Sequence, residues 1–381
     1  MIRIFGSFLS FEFNRLLCKR NLLIFLLLTA SAFYLIQDGI NNYTGSVENI
    51  KPFQEIEKLK IPKFTNMTQY AMYGFRILLI SSPSTVFFYN SSVFSDITAT
   101  INTSERIEIN SPVKGKVLFS EKTGGTMDFS MLVYFIGCFL ACLYGLETFN
   151  NKEYLKFTSA FAGYKEVFLF ETFSKVILLN LVFLGLAGFS LLWAFINGIQ
   201  VFNTFLLWYI IMTIALLNFF FSLGLNLSAI KSKINQFLIF SLVYIVLIFL
   251  IPLTISKIIS KKAEQITPLY QLEMEKLDTI TKFERRANKS QGNYTKEKGK
   301  TNAGRILIES YWNGEFKQMQ EIEKRMIKEI EENAHTFQLY SMLFPTSFYK
   351  SVCYEIGSRG YSYFIKYYWY VLEIDKQFMR F

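Results

Sequence analysis

FSMLVYFIGCFLACLYGL, residues Phe129 to Leu146, contains no Lys, Arg, Asp or Glu. A helix gains 1.5 Å per residue and needs about 20 mostly apolar residues to cross hydrocarbon. Four further stretches share this character: Leu22 to Gln37, Val176 to Ile196, Thr204 to Leu225 and Phe237 to Ile255. A buried helix of a soluble enzyme rarely stays free of charge for so long. The pattern predicts a predominantly α-helical polytopic membrane protein with five to six transmembrane helices.

The rest of the composition agrees. Only 18% of the 381 residues are charged and 51% are hydrophobic, against about 25% charged in an ordinary soluble domain. Four cysteines are too few for a disulfide framework in a chain of this size. With His335 the only histidine, zinc or iron chemistry built on several histidines is disfavoured. The net charge is +10, but the cations flank apolar runs and form no continuous stripe, so no nucleic-acid partner is expected.

Cationic loops stay on the cytoplasmic side of a membrane. Arg3, Arg15, Lys19 and Arg20 precede the first span, and Lys152, Lys156, Lys165 and Lys175 lie between the second and third. Lys231 and Lys233 lie between the fourth and fifth, while 197–203 has no cation. This alternation places the N-terminus in the cytoplasm and the segment after span five outside. Lys257, Lys261 and Lys262 oppose it, but long segments translocate largely regardless of charge. Ala30-Ser31-Ala32 resembles a peptidase site; apolar character continuing through Ile36 favours an uncleaved anchor.

The expected organisation is therefore an interfacial amphipathic helix at 1–20, spans at 21–37, 129–149, 176–196, 204–225 and 237–255, a cytoplasmic segment at 150–175, and extracytoplasmic insertions at 38–128 and 256–381. The first insertion reads as mixed α/β, with short strands at Thr85–Tyr89, Glu105–Ile109 and Lys116–Phe119. The second reads as a helical hairpin. Its stripes are Ile266, Tyr270, Met274, Leu277 and Ile280, then Met319, Ile322, Met326, Ile330, Phe337 and Tyr340. Asn313 is the expected N-cap of the second helix, Ala287–Gly304 its flexible approach, and His335 a solvated side chain. Tyr361–Phe381 carries too much charge to cross a bilayer and is expected at the outer interface.

No nucleotide-binding or hydrolase motif is present, and the charge-free spans hold no ionic relay. Asn180, Asn218 and Asn226 can line a path or hydrogen-bond between helices. A transporter built this way needs its energy from a partner. The distinctive polar segment follows span two: Glu147, Phe149, Lys152, Glu153, Tyr154, Leu155, Lys156, Phe157, Ser159, Phe161, Tyr164 and Lys165, running on to Lys175. Its alternation of aromatic and charged residues suits a short amphipathic helix, although an ordinary membrane-surface loop is the plainer reading.

This region resembles ABC-2-type transporter permeases, in the branch with large extracytoplasmic domains. There an acidic residue ends the second span, matched here by Glu147. An amphipathic coupling helix follows, to which Glu153, Leu155 and Ser159 correspond; then come a basic residue, Lys165, and the lysine leading into span three, Lys175. The resemblance implies the permease subunit of an ATP-binding-cassette exporter, not itself an enzyme. ATP and magnesium would be held by partner ABC ATPase subunits, with no cofactor in this chain. It also implies a second permease copy or paralogue, and a sixth span approached by Tyr361–Phe381. In the alternative, the same assembly transmits ATPase motion to an extracytoplasmic protein without transport.

Overall fold

A computed structural model describes residues 2–60, 75–78, 82–89, 98–102, 106–110, 127–150, 163–202, 204–230, 232–263, 269–294, 301–357 and 360–378. Five helices in it are long and apolar enough to cross a membrane: Asn21–Glu48, Phe129–Thr148, Lys165–Ile196, Leu206–Leu227 and Lys233–Ile258. The chain is a helical polytopic integral membrane protein.

Helix α1 (Ile2–Leu16) breaks at Leu17 and Cys18 before α2 (Lys19–Lys60). The amphipathic face of α1 buries Phe8 against Val167 and Phe170. Helix α2 continues well past its apolar stretch, because lipid depth limits where charge is tolerated, not where a helix ends. Helix α3 (Thr85–Phe88) is a buried single turn. It corrects the expected strand at 85–89: β-branched and aromatic residues favour strands only weakly, and here Val86, Phe87 and Phe88 fill the bundle core.

Helix α4 begins as Phe129–Leu132, passes through a π-helical turn at Val133–Gly137 and continues as Cys138–Asn150. Asp128 caps it by accepting from Met131 N at 2.8 Å. Helices α5 (Tyr164–Ile196) and α6 (Thr204–Leu227) follow. Helix α7 runs as Lys233–Ile245, a second π turn at Val246–Leu250, and Ile251–Ala263. The two π turns face each other. Tyr134 Oη donates to Ile248 O at 2.9 Å, Tyr244 Oη donates to Phe135 O at 2.6 Å, and Phe135 stacks on Phe249 with ring centroids 5.4 Å apart. Each π turn thus lends a carbonyl to a tyrosine of the other helix.

Helices α4 and α6 touch backbone to backbone. A Cβ on Gly145 would lie 2.2 Å from Phe221 O, and one on Gly224 would lie 2.0 Å from Cys142 O. Small residues permit such approach in membrane bundles, where dispersion contacts replace the hydrophobic effect between helices.

A second core lies apart from the bundle. Strands β1 (Phe75–Leu78), β2 (Thr98–Asn102) and β3 (Arg106–Asn110) form an antiparallel sheet in that order, pairing Ile77 with Ala99 and Ile101 with Ile107. Strand β3 falls on the expected strand at 105–109, whereas 116–119 lies outside the described residues. Helices α8 (Leu269–Tyr294) and α9 (Thr301–Met342) pack as a pair, linked by Lys276 Nζ to Glu323 Oε1 at 2.7 Å. Met326, Ile327 and Ile330 are buried with Ala99, Ile101 and Leu272. Met274 and Leu277, expected on the packed stripe, are exposed; the packed face of α8 is set by Leu272 and the Lys276 ion pair.

Asn313 sits inside α9, not at its start, and helix covers both ends of the 287–304 stretch expected to be flexible. No proline interrupts these ends, so helix extends through Gly292 and Gly304 despite their low propensity; 295–300 lies outside the described residues. His335 is exposed. Helix α10 (Pro345–Ile356) returns to the bundle, burying Tyr349, Cys353 and Ile356 in its core. Helix α11 (Tyr361–Phe378) buries Phe364, Tyr368 and Val371 in the second core. One face of it thus belongs to the core of that unit, while Trp369 and Tyr370 on the other are exposed.

Candidate functional site

Where α1 meets α4 and α5, five charged side chains converge. Arg15 Nη2 donates to Glu147 Oε2 at 2.5 Å, and Arg15 Nη1 lies 3.6 Å from Glu12 Oε1. Tyr144 Oη donates to Glu12 Oε2 at 2.8 Å. On α5, Lys175 Nζ donates to Glu171 Oε1 at 2.8 Å and to Thr148 Oγ1 at 3.3 Å, and sits 5.6 Å from the centre of the Tyr144 ring. Glu12, Glu171 and Lys175 are only 2%, 1% and 0% exposed.

Charges this deeply buried persist only when paired. The Glu171–Lys175 spacing places both on one face of α5, one turn apart, directly before its charge-free stretch. Glu12 follows Phe8 by four residues, so it falls on the buried stripe of α1 and must find donors there. Burial alone would lower the basicity of Arg15; the charges of Glu147 and Glu12 outweigh it and raise its pKa above the usual value.

The network joins residues 132 apart in sequence. It ties α1 to the end of α4, and α4 to the start of α5, so both helices flanking 151–162 are fixed to a common polar knot. Of the residues expected to form a coupling segment, Glu147 joins this knot. Phe149 lies in the last turn of α4, Tyr164 opens α5, and Lys165 is exposed beside it. Lys152, Glu153, Tyr154, Leu155, Lys156, Phe157 and Phe161 lie outside the described residues. Glu12, Tyr144 and Thr148 were not singled out from the sequence. The one signal for Glu12 is an acid on an otherwise apolar stripe; Tyr144 and Thr148 give none.

A second polar cluster sits at the opposite end of α4. Tyr349 Oη lies 3.2 Å from Tyr209 Oη and 3.4 Å from Ser130 O, and Ser130 Oγ donates to the buried Asp128 at 2.6 Å. Thr346 Oγ1 donates to Leu247 O at 2.8 Å, and Ser84 Oγ donates to Ile356 O at 2.7 Å. These bonds hold α3 and α10 over that end of the bundle. Between the two clusters Asn180 Nδ2 donates to Asn218 Oδ1 at 3.0 Å, so this pair links α5 to α6.

Cys138, Cys142 and Cys353 are buried free thiols, and Cys18 is exposed. Among the described residues no group of three His, Cys, Asp or Glu side chains converges as metal ligands would. No protein-family model, no curated protein and no solved structure matches the chain.

Proposed function

We propose that this chain is the membrane-spanning subunit of an ATP-driven exporter of a bacterial inner membrane, with its N-terminus in the cytoplasm. It pairs with a second permease, a copy or a paralogue, and separate ATPase subunits holding ATP and magnesium act on the 150–165 segment. The observation that carries this reading is the network Arg15–Glu147, Glu12–Tyr144 and Lys175–Glu171, in which Glu12, Glu171 and Lys175 are buried. A segment pushed by a partner moves the membrane only if the helices at its ends are firmly seated, and these are. Hydrogen-bonded buried charges resist local displacement because separating either partner strands a charge.

The test is co-purification and transport in one preparation. The extracted protein brings down a P-loop ATPase, and Phe157→Asp or Tyr154→Ala abolishes that association together with ATP-dependent export. An extracted chain that never carries an ATPase, with export intact in both variants, refutes the proposal.

The long α8–α9 pair favours a second reading, in which ATPase motion is passed to an extracytoplasmic protein. Helix α9 has 42 residues, about 63 Å at 1.5 Å per residue, long enough to act as a strut. Removing 287–304 abolishes a docking role and spares export.

A further inference from the structure

A cavity of about 310 Å³ opens between α1, α2, α4 and α5, at the small end of the range for ligand pockets, roughly 300–1,000 Å³. Its lining changes character along the helix axes. On α2 it passes from Asn21 to Leu28, and on α4 from Glu147 to Leu140; each rise of seven residue steps covers about 10 Å. Leu179 and Phe183 complete the apolar end, and Glu12 and Arg15 close the polar end. Two neighbouring helices therefore carry the same polar-to-apolar gradient, in the same direction and over the same length. That gradient matches one leaflet of a bilayer from headgroup to upper acyl chain. Ile24, 43% exposed, lies on the rim, so the cavity opens sideways toward lipid.

The polar end also discriminates. Arg15 Nη1 is buried without a hydrogen-bond partner, since Glu12 at 3.6 Å is too distant to accept one. A buried guanidinium nitrogen in that state calls for an anionic oxygen. Beside it Glu147 is 45% exposed, and in the whole network three carboxylates, Glu12, Glu147 and Glu171, face two cations, Arg15 and Lys175. A purely anionic ligand would add to this negative excess. A ligand carrying a phosphate and an ammonium satisfies both demands.

We propose that the cavity is a binding site for a phospholipid with a zwitterionic amine headgroup. Its phosphate sits on Arg15 Nη1, its ammonium lies beside the Glu147 carboxylate, and one acyl chain runs along Ile24, Leu28 and Phe183. The site depends on no assumption about an ATPase.

The full chain is reconstituted with equal amounts of palmitoyl-oleoyl phosphatidylethanolamine and phosphatidylglycerol, extracted in mild detergent and weighed by native mass spectrometry. The expected result is one retained phosphatidylethanolamine per chain, favoured at least tenfold over phosphatidylglycerol. Glu147→Gln erases the preference, because only the ammonium rests on that carboxylate, whereas Arg15→Gln lowers retention of both lipids, whose phosphates are alike. Ile24→Trp fills the cavity from its rim without touching the charges, so it removes the retained lipid while helicity and melting midpoint hold. Equal retention of both lipids, no retained lipid, or unchanged retention in Ile24→Trp overturns the proposal. So does efficient disulfide cross-linking of two chains through Ile24→Cys, which would show a second copy occupying the cleft.

Discussion

Replacing Lys175 by methionine keeps most of the side-chain volume and removes the charge. In the folded protein Lys175 Nζ is the hydrogen-bond partner of Glu171 Oε1 at 2.8 Å, while Glu171 Oε2 has no hydrogen bond at all. Both side chains are essentially inaccessible. The variant therefore leaves a carboxylate in a protein interior with no hydrogen-bond donor and only the more remote Arg15 as counter-charge, a change that costs about 3–5 kcal/mol when one partner of a buried pair is deleted. Loss of the contacts to Thr148 and the Tyr144 ring adds to this. Neutralising the stranded acid, as Glu171→Gln in the Lys175→Met background, restores much of the loss, because removing both charges also removes the need to desolvate them. SDS-titration unfolding in mixed micelles measures each corner of the double-mutant cycle. A coupling of about 2 kcal/mol or more is expected. If Lys175→Met unfolds at the wild-type midpoint, or if the two changes add within about 0.5 kcal/mol, the pair does not anchor α5 and the reasoning about a firmly seated helix fails.

Gly224→Ala forces a methyl group into contact with Cys142 O and destabilises the bundle by about 1–3 kcal/mol. Gly185→Ala, with nothing within 4 Å, stays close to wild type in the same titration. Tyr367 donates to Ile77 O at 2.7 Å and accepts from Ala99 N at 3.0 Å. Burial pushes its pKa up to about 12, against a smaller lowering by the Ala99 N–H. With an unfolded value of about 10, its contribution to stability is complete below pH about 10 and is lost as pH rises through about 12. The difference in absorbance at 295 nm between wild type and Tyr367→Phe should show one tyrosine titrating near pH 12. Tyr134→Phe leaves Ile248 O without its donor; a cost of about 1–3 kcal/mol and faster amide exchange around 246–252 are expected, and unchanged exchange contradicts the role given to the hydroxyl.

The membrane helices could be read directly, because absence of charge over a bilayer's thickness is a local property of sequence. Their ends could not. Helix α2 continues to Lys60 and α5 begins at Tyr164, since hydropathy marks the edge of the lipid and is silent about where hydrogen bonding stops. Thr85–Phe88 was legible only as β-prone; its helical turn is imposed by the cavity it fills beneath α10. Pro345–Ile356 carries little periodic signal, as its apolar face covers only part of a short helix. The site divides the same way. Glu147 and Lys175 stood out as charges bordering apolar runs, but the pairing of Glu147 with Arg15 spans 132 residues, and only the docking of α1 brings them together.

The paired π turns set a phase relationship. A π turn accommodates one more residue than the regular spiral would, so the two portions of α4 on either side of Val133–Gly137 are offset in rotation from where an uninterrupted helix would place them. Deleting a single residue there would regularise the spiral and swing one portion by about 100° relative to the other, carrying Tyr134 away from Ile248 while Tyr244 still reaches for Phe135. The same deletion in α7 would turn Ile248 and Phe249 off the seam in their turn, and no second shortening undoes the first. The extra residue in each spiral is what aims the two faces at one another.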